Sequence, residues 1–254
     1  DANSEIDVAA NVNPASLTVN GTLDGTAQAA GDRIIRVSTG GSLTVGATGI
    51  IDAPNSRLEV RDGASATNDG TITIGELRGR AGGTTPVFTQ GNNSTLNVSG
   101  AVCDAARPCT FNASAAGNTV NYNGAAQTVK VPSGAPATYY HLTLSGSGVK
   151  TMPATAMTVA GNFTMSGALA TSATAAAALT VGGNFTLAAL NTFTAGAFLH
   201  SVAGNWSNSG TFTAAAGAGT VTFTGLNSTL GGTTATTFNN LILNKTAGNN
   251  VSMV

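Results

Sequence analysis

The sequence is short of charge. Only 8% of its 254 residues are Asp, Glu, Lys or Arg, against about 25% in ordinary soluble domains. Aromatic residues make up 5%, and there are two cysteines and two histidines. No run of 18 uncharged apolar residues occurs, so no membrane-spanning helix is expected. No stretch reads as a signal peptide, and the Asp1-Ala-Asn-Ser4 start looks like a mature terminus left by cleavage. Neither a Walker motif nor a Gly-x-Gly-x-x-Gly between strand and helix is present, which leaves nucleotide binding without a motif. A pI of about 6.1 gives no support to nucleic-acid binding. Helical periodicity with caps is missing as well; the alanine run at 175–178 lies in a Thr/Ser context and reads as a tight coil.

Gly, Ala, Ser, Thr and Asn fill the space, together with β-branched Val, Thr and Ile. Disorder normally requires high net charge and few β-branched residues; here the net charge is −1, so ordered β structure is expected. Its period is written in three copies of one phrase: Thr158-Val-Ala-Gly-Asn-Phe-Thr164, Thr180-Val-Gly-Gly-Asn-Phe-Thr186 and Ser201-Val-Ala-Gly-Asn-Trp-Ser207. The steps of 22 and 21 residues predict a solenoid in which each repeat is one coil stacked on the last. Coils of about 20–22 residues and about 12 coils in all follow from that period. In register, Asn162, Asn184 and Asn205 are expected to form an internal amide ladder, with Phe163, Phe185 and Trp206 stacked beside it. The same asparagines form glycosylation sequons, which a buried ladder would make poor acceptors.

Along the chain, residues 1–15 read as an N-terminal strand or cap. Residues 16–112 read as a first solenoid half, from alternating segments such as Ser42-Leu-Thr-Val45 and Gly70-Thr-Ile-Thr-Ile74. Its pattern loosens between Gly79 and Asn93, so a loop or lobe is expected near 79–112. Residues 113–254 read as a second set of repeats. Within them a longer module recurs: Asn118-Thr-Val-Asn-Tyr-Asn-Gly124 matches Gly219-Thr-Val-Thr-Phe-Thr-Gly225. Its second copy breaks off at Val254.

Charge is distributed unevenly. All eleven acids lie between Asp1 and Asp104 beside six arginines, a formal −5; beyond them come only Arg107, Lys130, Lys150 and Lys245, a formal +4. Opposite halves suggest head-to-tail attraction, with Asp1, Glu5 and Asp7 at one end and Lys245, Val251 and Met253 at the other. The cysteines, Cys103 and Cys109, are too few for a metal site and far in sequence from His141 and His200; a local disulfide pinning a turn is expected, and with it an oxidising compartment.

The phrases Ser16-Leu-Thr-Val-Asn-Gly-Thr-Leu23, Gly40-Gly-Ser-Leu-Thr-Val-Gly-Ala47 and Phe238-Asn-Asn-Leu-Ile-Leu-Asn-Lys-Thr-Ala-Gly248 resemble the repeats of large bacterial secreted surface proteins of the filamentous-haemagglutinin and autotransporter-passenger type. The resemblance covers residues 16–254 and implies an all-β, right-handed parallel β-helix at the bacterial cell surface, with an adhesive or fibre-forming role. It carries no catalytic residue to this chain.

Enzymes on such a fold need clustered carboxylates. The candidates are Glu59, Asp62, Asp69 and Glu76 beside Arg57, Arg61, Arg78 and Arg80, which read as an exposed ladder of ion pairs. Asn68-Asp69-Gly70 lacks the repeated nonapeptide of calcium solenoids. His141 reads as a stacked or surface histidine. No catalytic, cofactor or metal residue is nominated. The expectation is a structural extracellular subunit that self-associates head to tail into a filament. The alternative is an adhesin stalk presenting its Thr/Ser/Asn faces and the 79–112 lobe to a glycan or host surface, with ice binding as a variant.

Overall fold

The computed structural model describes residues 5–8, 15–26, 33–80, 82–134, 136–214 and 217–254. The described strands are parallel and stack as a β-solenoid of about ten turns, with no helix among them. The turn count falls below the predicted twelve, and coil length varies along the chain. Ser16 pairs with Ser42 and Ser42 with Ser65, steps of 26 and 23 residues. Ser172 pairs with Thr192 and Thr192 with Thr211, steps of 20 and 19.

Two compact units divide the chain. The first comprises 1–121 and 132–137, the second 122–131 and 138–254. In the first unit, Glu5–Val8 pairs in parallel with Ile34–Val37 and so belongs to the stack itself. One sheet runs through Ile34–Val37, Ile50–Arg61, Thr71–Arg80 and Thr95–Val98, and a second through Ser16–Val19, Ser42–Val45, Ser65–Asn68, Val87–Gln90 and Thr110–Asn112. Within the loosened stretch after Gly79, two strands stay in these sheets. Val87–Gln90 and Thr95–Val98 keep the coil register, Ala66 against Phe88 and Ile72 against Leu96.

Alternation explains the core. In strands of three or four residues every second side chain points inward. One inward column of the first unit reads Leu43, Ala66, Phe88, Phe111; each is buried. In the second unit one column reads Tyr139, Val159, Val181, Val202, Phe223, each at most 2% exposed. Burial of such side chains stabilises by about 1.5–3 kcal/mol apiece. The outward positions carry hydroxyls in register: Thr128, Thr151, Thr174, Thr194 and Thr213 form one column of the second unit.

Polar groups also face inward, and Asn68 and Lys150 show how they are held. Asn68 Nδ2 donates to Gln90 Oε1 (2.8 Å) and to Thr95 O (2.9 Å), while its Oδ1 accepts from Gly70 N. These bonds commit Asn68 to the interior. Lys150, fully buried, shares a column with Gln127, Ala173, Phe193 and Phe212. Its Nζ donates to Gly124 O (2.6 Å), Ala125 O (2.8 Å) and Gln127 Oε1 (2.8 Å). Burial lowers its ammonium from 10.5 to about 8. Beside it, Tyr122 and Tyr139 share a hydroxyl bond of 2.9 Å; Lys130 N donates to Tyr122 Oη, and Tyr139 Oη donates to Lys130 O. Burial pushes Tyr122 up to about 12.

Candidate functional site

The most chemically distinctive site lies in the first unit, where Ile50–Arg61 and Thr71–Arg80 pair. Their register shifts between Ala53 and Arg57. That irregularity changes which residues face outward. Beyond it, Arg57 pairs with Glu76, Glu59 with Arg78 and Arg61 with Arg80, while Arg36 pairs with Glu59 from the other side.

Glu59 is not part of an exposed ladder, as the sequence suggested; it is 2% exposed. Arg61 Nε donates to its Oε1 at 2.8 Å, Arg36 Nε lies 3.4 Å from the same oxygen, and Arg78 Nε and Nη2 donate to Oε2 at 2.9 and 2.5 Å. Burial pushes the carboxyl up, but the hydrogen bonds and charges of Arg61 and Arg78 outweigh it and hold it at about 2, against an ordinary 4.5. Glu59 is thus a carboxylate at any physiological pH, and its lone pairs are spent on arginine. Such a group is a poor general acid or nucleophile. Glu76 Oε2 lies 3.8 Å from Arg78 Nη1, and Asp62 Oδ1 accepts from Thr84 N. Among the described residues no three of His, Cys, Asp and Glu come together in a metal-binding group.

A turn closed by a disulfide packs over this strand pair. Cys103 and Cys109 are bonded, with Cα atoms 5.2 Å apart. Leu77 N donates to Ala101 O and Cys103 N to Leu77 O, and Gly79 N donates to Arg107 O at 3.0 Å. Gly79 permits the approach: a Cβ there would lie 1.8 Å from Pro108 O. Arg107 N is held by Asp104 Oδ1 at 2.8 Å. The result is a cleft of about 500 Å³ lined by Arg57, Arg78, Arg80 and Arg107, with Glu59 as its one carboxylate. The sequence singled out three of these arginines and the disulfide, but not their meeting. The even spacing of Arg78 and Arg80 after Glu76 was the available signal, since alternate residues share a face.

The second unit holds the three repeated phrases. Phe163 and Phe185 stack at 5.4 Å and Phe185 and Trp206 at 4.1 Å, with ring planes 21° and 8° apart. The asparagine ladder exists in a different form from the one expected. Asn162 and Asn184 are half-buried and Asn205 is exposed, at the corner before each inward aromatic. Each side-chain Oδ1 accepts the backbone N–H of the next coil: Asn162 from Asn184 N (2.9 Å), Asn184 from Asn205 N (2.8 Å), Asn205 from Thr229 N (2.9 Å). His141 heads the series, its Nδ1 accepting from Asn162 N at 2.8 Å. His200 repeats the device inside the core, with Nδ1 accepting from Leu179 N (3.1 Å) and Nε2 donating to Ala195 O (2.7 Å).

Both histidines therefore serve as neutral acceptors, and burial lowers their pKa below 6.5. A base whose folded pKa lies below its unfolded one stabilises fully above the unfolded value and loses that contribution as pH falls. Acidification from about pH 7 to about pH 5 is expected to lower the melting temperature of this unit, followed by the fluorescence of Trp206. In a His141→Gln/His200→Gln variant this dependence should disappear; an equally steep acid limb there would refute the assignment.

Of the expected assembly ends, Asp1 lies outside the described residues, and Glu5 and Asp7 are placed by backbone register alone. Val251 is half-buried and Met253 is 77% exposed. Lys245 is tied to its own unit: Nζ donates to Thr224 O at 2.7 Å and to Ser228 Oγ, 5.7 Å from the Phe223 ring centroid. With Lys150 buried, two of the four cations behind the +4 estimate are occupied internally. No helix among the described residues is long and apolar enough to cross a membrane. Comparison with family models, with curated proteins and with solved structures finds no match.

Proposed function

We propose that the chain is a structural β-solenoid subunit of an extracellular, bacterial surface assembly, extended by docking a further parallel coil on the sheet edge of its second unit. The observation that carries this is the strand Asn240–Leu243, all four residues of which are exposed. It pairs on one side with Thr220–Phe223. There, Val221 and Phe223 are buried, at 4% and 0%, whereas their partners Leu241 and Leu243 stand 43% and 59% exposed. On the last strand of another sheet, Val251–Met253, Met253 is 77% exposed. Apolar side chains beside unpaired strand N–H and C=O groups form a template for another strand. A coil of the same repeat type from a second copy presents the matching surface, and repeated head-to-tail contacts grow openly. The disulfide fits an oxidising compartment.

Sedimentation velocity of the 254-residue chain tests the reading. Concentration-dependent association is expected, and Leu241→Lys/Leu243→Lys should suppress it by placing charge on the edge. A chain that stays monomeric at every concentration and salt, or a variant that associates as the parent does, would sink the proposal.

A further inference from the structure

The arginine cleft of the first unit is lined by more guanidinium groups than carboxylates, and two of them, Arg80 and Arg107, stand exposed at its rim. Its lining holds four guanidinium groups and one carboxylate, and both oxygens of that carboxylate already accept from arginines. This surplus stands in the half of the sequence whose formal charge is −5, so it is local and does not reflect overall basicity. Every cation up to residue 129 is arginine; the first lysine is Lys130. Guanidinium groups present planar forks that bind oxyanions bidentately, whereas an ammonium is a point charge. The two outermost, Arg80 and Arg107, are exposed. They reach the cleft from different elements, the end of Thr71–Arg80 and the disulfide-closed turn. That turn is fixed to the strand by Gly79 N on Arg107 O, so the spacing of the rim does not depend on a mobile side chain alone.

We propose that this cleft binds the sulfate or phosphate ester groups of an anionic sugar chain, with Arg80 and Arg107 as ligand contacts and Arg78 as the link to the buried Glu59. The volume, about 500 Å³, falls in the range of sites that hold organic ligands and exceeds what one inorganic anion fills. The proposal does not depend on the stacking of coils.

The test uses the full chain and calorimetric titration with three probes: dextran sulfate oligosaccharide, uncharged dextran of equal length, and inorganic sulfate. Dextran sulfate is expected to bind, weakening as salt screens the charges. Uncharged dextran is expected not to bind, and inorganic sulfate to bind about tenfold more weakly or less. Arg80→Gln/Arg107→Gln should weaken dextran sulfate binding about tenfold or more while leaving the thermal melt unchanged, since both side chains are exposed; Lys130→Gln should leave binding as it was. Undiminished binding by the double variant, equal binding of uncharged dextran, or equal affinity for free sulfate would each overturn the proposal.

Discussion

Glu59→Gln is expected to destabilise the first unit by about 3 kcal/mol. The exchange keeps size and shape and removes only the charge. It leaves Arg78, itself 8% exposed, beside a neutral amide. Removing one member of a buried ion cluster ordinarily costs about 3–5 kcal/mol, because the remaining charge is desolvated without compensation. Arg36 and Arg61 retain some water contact, at 16% and 27% exposure, which places the cost at the lower end of that range. The same group sets an acid limb. Its folded pKa, about 2, lies below the ordinary 4.5; the stabilisation is therefore complete above pH 4.5 and is lost as pH falls towards 2. Urea denaturation followed by far-ultraviolet circular dichroism suits the measurement, because all three tyrosines and the single tryptophan lie beyond residue 121. Glu76→Gln is the control: its carboxylate is 29% exposed and 3.8 Å from Arg78, and its loss should cost about 0.5 kcal/mol or less. Equal effects from the two exchanges would show that Glu59 is not the keystone of the cluster.

Lys150→Met is expected to cost the second unit about 3 kcal/mol. Methionine fills the column among Gln127, Ala173 and Phe193 with a chain of similar length. It cannot donate. The three donors of the ammonium meet three acceptors, Gly124 O, Ala125 O and Gln127 Oε1, and methionine leaves all three without their partner. Each orphaned buried polar group costs about 1–3 kcal/mol, partly offset by no longer desolvating a charge. Trp206 fluorescence during urea denaturation reports this unit directly. Lys245→Met provides the comparison: the lysine is half-buried and has two acceptors rather than three, Thr224 O and Ser228 Oγ, and about 1 kcal/mol is expected. If Lys150→Met matched that small loss, the buried ammonium would have no role in holding the coil together.

The sequence showed the coil but not the interior. The three Gly-Asn-aromatic phrases predicted a pairing of Phe163 with Phe185 and Phe185 with Trp206, and the strands adopt that register, because a two-residue alternation repeated every coil leaves one way to bury the aromatics. The placement of the asparagines followed from the same parity and was misjudged. Neighbours in a strand face opposite sides, so Asn162 and Phe163 could not both be interior. Glu59 was unreadable for another reason. The irregularity between Ala53 and Arg57 resets the in–out phase, so counting from Ile51 gives no guide to what Leu58 or Glu59 faces. Lys150 entered the sequence reading only as one of the four cations behind the formal +4. The Thr-Phe-Thr strands two and three coils later show that its position faces inward, but only once their alignment is known.

The corner asparagines carry a consequence for how such a chain changes length. Each takes the N–H of the following coil through its side-chain oxygen, and each is replaced by an identical group one coil on. Excision of residues 163–184 would join Asn162 to Phe185, an Asn-Phe junction like the one removed, with the His141 bond intact behind it and Asn205 ahead. Duplication of the same segment is equally silent at its seams. A cut of an odd number of residues within a strand would turn its inward face outward. Genetic drift in this stretch is thus quantised: recombination between the repeats can lengthen or shorten the protein by whole coils, while small insertions are confined to the corners.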